Sequence, residues 1–277
     1  MKWGEAFSAR HVNALYAAVY RHLPQEFRFV CLTDDGRGLS SQVDVLPIPD
    51  MGLPAWAWRK GCWPKLSVFK PGLFEGSDVV LFLDLDVVVQ ASLKPFCDLV
   101  ERHGDLHIQR EWNPALWSLL PIQLRPDRGA QSSVFGFRPA DTAYIYENFT
   151  ANRDAALATF RNDQRYLTGT VVWRRYWSAT FCVSFKRSCV WRYPLNLVFR
   201  TVRRPRRARI VVFHGQPRPW DLTGPEGKRW GTKWKFGNGE VAWVREYYER
   251  ALTGQAVAGV RDERDPDGAM NDFRQVS

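Results

Sequence analysis

The stretch from Ser77 to Gln90, SDVVLFLDLDVVVQ, constrains this chain more than any other. Its apolar run, residues 79–83 with Leu85 just beyond, is too short for a helix core and too β-branched for a loop, so it predicts a buried strand. The run stops at charge. Asp84 and Asp86 flank Leu85, and in an extended segment residues i and i+2 point to the same side. Two carboxylates on one side of a buried strand end repel each other and are costly to desolvate unless positive charge sits between them. A divalent cation is the simplest candidate. The bland alternative is a strand end carrying two solvated turn carboxylates, and the triplet alone does not choose between the two.

Strand-like and helix-like segments alternate around this stretch. Residues 11–23 bring Val12, Leu15, Tyr16, Val19, Tyr20 and Leu23 round at three- and four-residue steps, the stripe of an amphipathic helix that Pro24 ends. Residues 27–32 (FRFVCL) predict a strand that stops at Thr33-Asp34-Asp35-Gly36, and residues 43–48 a second, shorter one. Residues 52–64, rich in Trp, Gly and Pro, predict a loop before a helix that begins near Trp63 and carries Lys65, Leu66 and Phe69. Beyond the central strand, residues 87–90 continue extended. A helix over 93–102, a strand over 106–109, a long loop over 110–129 and a strand over 132–137 come next. Helices are expected through Tyr144 and Phe149 and again from Asn162-Asp163-Gln164, where Asn or Asp can cap the first turn. Residues 173–209, dense in Arg and Trp, give no assignment; 210–213 predict a short strand and 242–252 a last helix.

This alternation predicts an α/β fold, Rossmann-like, with a mainly parallel sheet flanked by helices. Ligands bind such sheets at the carboxyl ends of the strands, where Asp34 and Asp84 both fall. Lys2-Trp3-Gly4 leaves almost no room for the first strand, which is expected to be short or missing. One domain is expected over residues 1–252, followed by a loosely held tail over 253–277.

Five cysteines, widely spaced and without a Cys-x-x-Cys pair, argue against structural zinc and for a reducing, cytoplasmic location. No signal-like start and no apolar run approaching a membrane span is present. Lys and Arg outnumber Asp and Glu by 39 to 29, a net charge of +10 that favours anionic partners. A nucleotide diphosphate, an acidic glycan and an anionic membrane surface all qualify. No nucleic-acid-binding motif is visible, so nucleic acid is not among the expected partners.

A hydrophobic strand ending in Asp-x-Asp resembles the metal site of nucleotide-sugar glycosyltransferases of the GT-A fold. The segment VVFHGQPRPWD, residues 211–221, is similar to the carboxyl-terminal motif of the family 8 retaining glycosyltransferases, relatives of glycogenin and the lipopolysaccharide galactosyltransferases. Here the His to Trp spacing is about two residues shorter than in the family, and Arg replaces the family's Lys. The resemblance implies that Asp84, Asp86 and His214 hold Mn²⁺ or Mg²⁺ against the donor diphosphate, with Gly215 and Arg218 on phosphate. Two carboxylates, one imidazole and phosphate oxygens suit Mn²⁺ somewhat better than Mg²⁺. It further implies that Ser132 and Ser133, in AQSSVFGF, line the donor sugar, and that Asp163 and Gln164 lie beside the anomeric carbon. Lys65 and Leu85 would belong to the donor site, and Trp3 would stand where relatives hold the nucleotide base, which is expected to be uracil of a UDP-sugar.

The activity this resemblance implies is that of a metal-dependent hexosyltransferase, moving a sugar from a nucleotide-diphosphate donor to a glycan or lipid-linked acceptor with retention. Front-side attack assisted by the leaving phosphate is preferred over a covalent glycosyl-Asp163 intermediate, because the carboxylate pair is committed to metal. The basic run RTVRRPRRAR, residues 200–209, reads either functionally, as a peripheral contact with anionic lipid at the inner membrane face or a hold on a phosphorylated lipid-linked or lipopolysaccharide acceptor, or as a solvated loop. Two rivals are a nucleotidyltransferase, which would show a Gly-rich basic amino-terminal loop that is absent here, and a non-catalytic or degenerate carbohydrate- or nucleotide-binding relative.

Overall fold

The structure, a computed structural model, describes residues 1–251 apart from residues 115, 116, 118, 119, 192 and 226. The expected tail over 253–277 and the last residue of the expected final helix lie outside the described residues.

Helix α1 spans Ala9–His22 and buries Val12, Leu15 and Val19 of the expected stripe together with Ala18, whereas Tyr20, expected on the same stripe, is 66% exposed. Strands β1 (Val30–Leu32) and β2 (Asp44–Leu46) pair in parallel as a two-stranded sheet. A tight 3-10 segment, Trp63–Phe69, stands in place of the expected helix, with every residue in it buried. Pro64 lies in its first turn, where a missing N–H is tolerated.

Strand β3 (Val80–Leu83) forms the edge of a four-stranded sheet in the order β3, β6, β5, β7, with β5 at Leu106–Arg110, β6 at Ala130–Phe137 and β7 at Arg174–Tyr176. The second sheet has the order β4, β9, β8, from Val87–Val89, Ile210–Val212 and Cys182–Ser184. Helices α2 (Lys94–His103), α3 (Pro139–Ala151), α4 (Arg153–Thr159) and α5 (Asp163–Thr170) complete the layers, and residues 242–251 are helical.

The strand pairing is mixed, in contrast to the mainly parallel sheet expected. β1/β2, β5/β7 and β8/β9 are parallel, whereas β3/β6, β5/β6 and β4/β9 are antiparallel. A second difference bears on function. Asp84-Leu85-Asp86 is a turn, not the end of one continuous strand, because β3 pairs with β6 in one sheet and β4 with β9 in the other. The chain must change sheets there, and buried Leu85 anchors the corner. At the amino terminus the expected short first strand is a single bridge, Lys2 to Thr33, with the Lys2 N–H donating to the Leu32 carbonyl at 2.9 Å. Below that bridge the edges of β1 and β3 line a cleft of about 530 Å³.

All eight residues of β6 are buried, and successive side chains serve two cores. Val134 joins α1, β4, β9 and the last helix in one cluster. Phe135 and Phe137 join Trp63, Leu66, Phe69, Phe149 and Tyr166 in the other. The Phe135 ring stacks on Phe82 at 4.5 Å and on Phe69 at 5.6 Å between centroids. Phe135→Ala is therefore expected to cost about 3–5 kcal/mol, the range for deleting a buried aromatic ring. Denaturant unfolding measures it, and a loss below about 1 kcal/mol would contradict the packing described.

Candidate active site

Lys65 occupies the centre of the site. The 3-10 segment buries it to 6% exposure, and its ammonium donates to Asp84 Oδ2 at 2.7 Å, to the Ser132 carbonyl at 3.2 Å and to Ser132 Oγ at 3.4 Å. Ser132 Oγ in turn donates to Asp163 Oδ2 at 2.6 Å. Burial works against the Lys65 charge, but the Asp84 and Asp163 carboxylates outweigh it and raise its pKa. The network joins four elements: the 3-10 segment, the end of β3, β6 and the first turn of α5. Backbone bonds fix that junction, with Asp84 N–H donating to the Ser133 carbonyl and Asp163 N–H to the Gly61 carbonyl, each at 2.9 Å.

A second ion pair lies on the other side of Leu85. Arg218 Nη1 donates to Asp86 Oδ2 at 2.9 Å, and its guanidinium lies 5.0 Å over the Phe7 ring and 5.7 Å over Trp220. Burial and the neighbouring Asp84 charge push Asp86 up to about 7, against the pull of Arg218 and Lys65. Both aspartates thus stand within electrostatic reach of each other, each matched by one protein cation.

His214 follows β9 directly and is tied to Asp86 through the backbone, since Phe213 N–H donates to the Asp86 carbonyl at 3.0 Å. Its Nε2 shares a hydrogen bond of 2.7 Å with Ser184 Oγ, and its ring stacks on Trp112 at 5.3 Å. Burial, with Lys186, Arg187 and Arg128 nearby, lowers its pKa to about 4, so the imidazole is neutral near pH 7. Lys186 donates to the His214 carbonyl at 2.6 Å. Gly215 adopts φ +70°, a conformation that favours glycine, and a Cβ there would lie 3.8 Å from Lys186 Nζ.

The expected site residues are therefore gathered unevenly. Asp84, Lys65, Ser132 and Asp163 form one bonded network, and Asp86 and Arg218 a second beside it. Ser133 is buried on β6, where its Oγ accepts from Gln131 Nε2 at 2.5 Å. Gln164 is half-buried in the turn after Asp163. Trp3 follows the Lys2 bridge to Thr33, and its indole donates to the Trp58 carbonyl at 2.8 Å. Among the described residues no three His, Cys, Asp or Glu side chains are gathered as a metal site. Of the three residues expected as metal ligands, Asp84 bonds Lys65, Asp86 bonds Arg218 and the His214 imidazole bonds Ser184.

Ser184, Lys186 and Trp112 belong to the site although sequence patterns do not mark them as site residues. Ser184 and Lys186 lie within the Arg- and Trp-rich segment that has no readable period. For Trp112, its position in a long loop of a compact domain is the available signal.

No family model matches the sequence, and no curated protein matches it. Solved structures do. The galactosyltransferase LgtC, crystallised with donor and acceptor sugar analogs, superposes with a TM-score of 0.57 at 15% identity, covering 91% of this chain and 94% of that one. The chain has the GT-A glycosyltransferase fold. The glycosyltransferase GlyE of Streptococcus pneumoniae TIGR4 also superposes at 0.57, with 13% identity, over 94% of this chain and 63% of its own length. In this GT-A chain the Asp84–Asp86 turn and the loop from His214 to Arg218 lie side by side where β3 and β9 end.

Asp163 offers a test of the site's electrostatics. Burial raises its pKa to about 6, with Lys65 and the Ser132 hydrogen bond pulling the other way. A carboxyl whose folded pKa exceeds its unfolded value binds a proton more tightly when folded, so the folded state loses stability as pH rises from about 4 to above 6. Asp163→Asn removes that loss. The variant is expected to gain about 2–3 kcal/mol relative to the parent between pH 4 and pH 8. Thermal melts at the two pH values check this, and an equal difference at both would contradict it.

Proposed function

We propose that this protein is a metal-dependent glycosyltransferase that moves a sugar from a nucleotide-diphosphate donor, a UDP-sugar, to a glycan or lipid-linked acceptor with retention. The observation that carries this reading is the pairing of the Asp84–Asp86 turn with Lys65 and Arg218 beside the His214 loop, in a chain of GT-A fold.

The acidic pair fits a divalent cation in kind. Asp86 is pushed up to about 7 by burial and by Asp84 even with Arg218 and Lys65 pulling the other way, so added positive charge would favour its ionised form. Hard carboxylate oxygens and a neutral imidazole are donors that Mn²⁺ and Mg²⁺ accept, the imidazole favouring Mn²⁺. Asp84 and Asp86 would hold the ion, and His214 is the residue we assign as its third protein ligand. Such an ion supplies positive charge to a departing diphosphate.

The chain's own residues do the remaining work. Arg218 and Lys186 supply fixed positive charge where negative charge develops on the leaving phosphate, and charge stabilisation of this kind is usually the largest catalytic contribution. The positive φ of Gly215 lets the backbone approach the ligand closely. Ser132 and Asp163, locked to each other and to Lys65, present a preorganised wall to the donor sugar. We assign Asp163 to the wall beside the reacting carbon and not to nucleophilic attack, since it is buried at 2% exposure behind Ser132.

Binding of UDP measured with and without Mn²⁺, followed by a donor-hydrolysis screen across nucleotide sugars, tests the reading directly. Asp86→Ala is expected to abolish metal-dependent turnover while the fold survives. Arg218→Gln is expected to lower kcat roughly 10²- to 10³-fold, the usual effect of removing one such contact. Full metal-dependent activity in Asp86→Ala would reject the assignment.

A further inference from the structure

The positive excess of this chain is confined to one stretch. Residues 185–238 contain 14 Lys and Arg against 2 acidic residues, so this stretch accounts for the whole net charge of +10 and the remainder is slightly acidic. The same stretch exposes large apolar side chains. Tyr193, Leu195, Phe199 and Trp234 are about half exposed, and Val198 is 76% exposed.

These side chains form one patch. Tyr193 and Trp234 lie 5.7 Å apart between ring centroids. Phe199 and Trp234 line one shallow groove together with Arg200. Trp191 packs on Phe199 at 5.2 Å, and the Arg203 guanidinium lies 4.5 Å over the Trp191 ring. Arg206, Arg207 and Lys233 are exposed within the same basic stretch. Apolar residues scattered singly over a surface need no explanation, but a contiguous apolar patch rimmed by cations marks an interaction site.

The patch adjoins the candidate active site. Thr232 donates to Gln216 Oε1 from its N–H at 3.0 Å and from its hydroxyl at 2.6 Å. Gln216 lies between Gly215 and Arg218, and Trp234 is two residues beyond Thr232.

We propose that this face docks on an anionic lipid bilayer, and that the acceptor is carried by that bilayer. Arg and Lys side chains match the headgroup charge, while aromatic and aliphatic side chains enter the boundary between headgroups and acyl chains. A nucleic acid would satisfy the charge but offers Leu195 and Val198 no apolar counterpart. The choice of acceptor rests on the glycosyl-transfer reading; the docking face does not.

Sedimentation of the full chain with phosphatidylcholine vesicles, with and without phosphatidylglycerol, tests the proposal. Binding is expected only with phosphatidylglycerol, weakening as salt is raised. Arg200→Gln with Lys233→Gln, both exposed beside Phe199 and Trp234, should weaken it roughly fivefold per cation, from about 1 kcal/mol for each basic residue near the surface. Val198→Ser with Phe199→Ser should abolish it, and Val198→Ser alone, at a side chain 76% exposed, should weaken it without shifting the thermal melt. Equal binding to phosphatidylcholine alone, binding unmoved by both double variants, or binding of a duplex oligonucleotide with none to vesicles would overturn the proposal. Donor hydrolysis read on the same preparations separates the two readings. Turnover without vesicle binding removes the docking face alone, and vesicle binding without turnover removes the glycosyl-transfer reading alone.

Discussion

The buried ion pair between Lys65 and Asp84 is the interaction on which the rest of this site depends. Both side chains are mostly withdrawn from water, at 8% and 20% exposure. A charge in that position stands only if partners replace its hydration, and removing one member of a buried pair typically costs about 3–5 kcal/mol. Lys65 meets the requirement by bonding Asp84 and Ser132 together, and Ser132 passes the restraint to Asp163. One ammonium group thereby ties together the 3-10 segment, the end of β3, β6 and the start of α5. Stability and site geometry are the same set of contacts.

The chain keeps two kinds of charge apart. In the site, cations and carboxylates are matched almost one for one, Lys65 with Asp84 and Arg218 with Asp86. On the face formed by residues 185–238 the cations greatly exceed their acidic neighbours and are mixed with exposed aromatic rings. Matched charge in a buried site favours order and a fixed geometry, whereas unmatched surface charge favours long-range attraction. The His214 to Arg218 loop joins the two, touching Asp86 on one side and Thr232 on the other.

Much of the fold is legible in the sequence where one physical pattern dominates. The three- and four-residue spacing of Val12, Leu15 and Val19 marks α1, the β-branched run before Asp84 marks β3, and Asn162 does cap α5, its side chain accepting from Arg165 N–H. Strand direction is not legible, because burial on both faces erases the alternation that would report it; β6 has eight buried residues in a row. The turn at Asp84–Asp86 is hidden for a related reason. Apolar residues on both sides of it continue a single hydrophobic run although they belong to different sheets. In the site, the acidic pair, Lys65, Arg218 and the loop after β9 are readable as charges at strand ends. Ser184 and Lys186 are not, since β8 is three residues long and three residues carry no measurable period.

The position of β6 between β3 and β5 has one more consequence. Every residue of this strand is buried, and its last three, Phe135 to Phe137, pair with β3 on one side and β5 on the other, so that end should exchange with deuterated solvent only through global unfolding. Ser132 and Ser133 are buried in the register break beside that segment, where the Ser133 N–H donates to Gln131 Oε1 at 3.0 Å. The wall formed by residues 214–218 is irregular loop and belongs to the fast-exchanging class. Isotope uptake would divide the site into a permanent half and a half that ligands can reorganise.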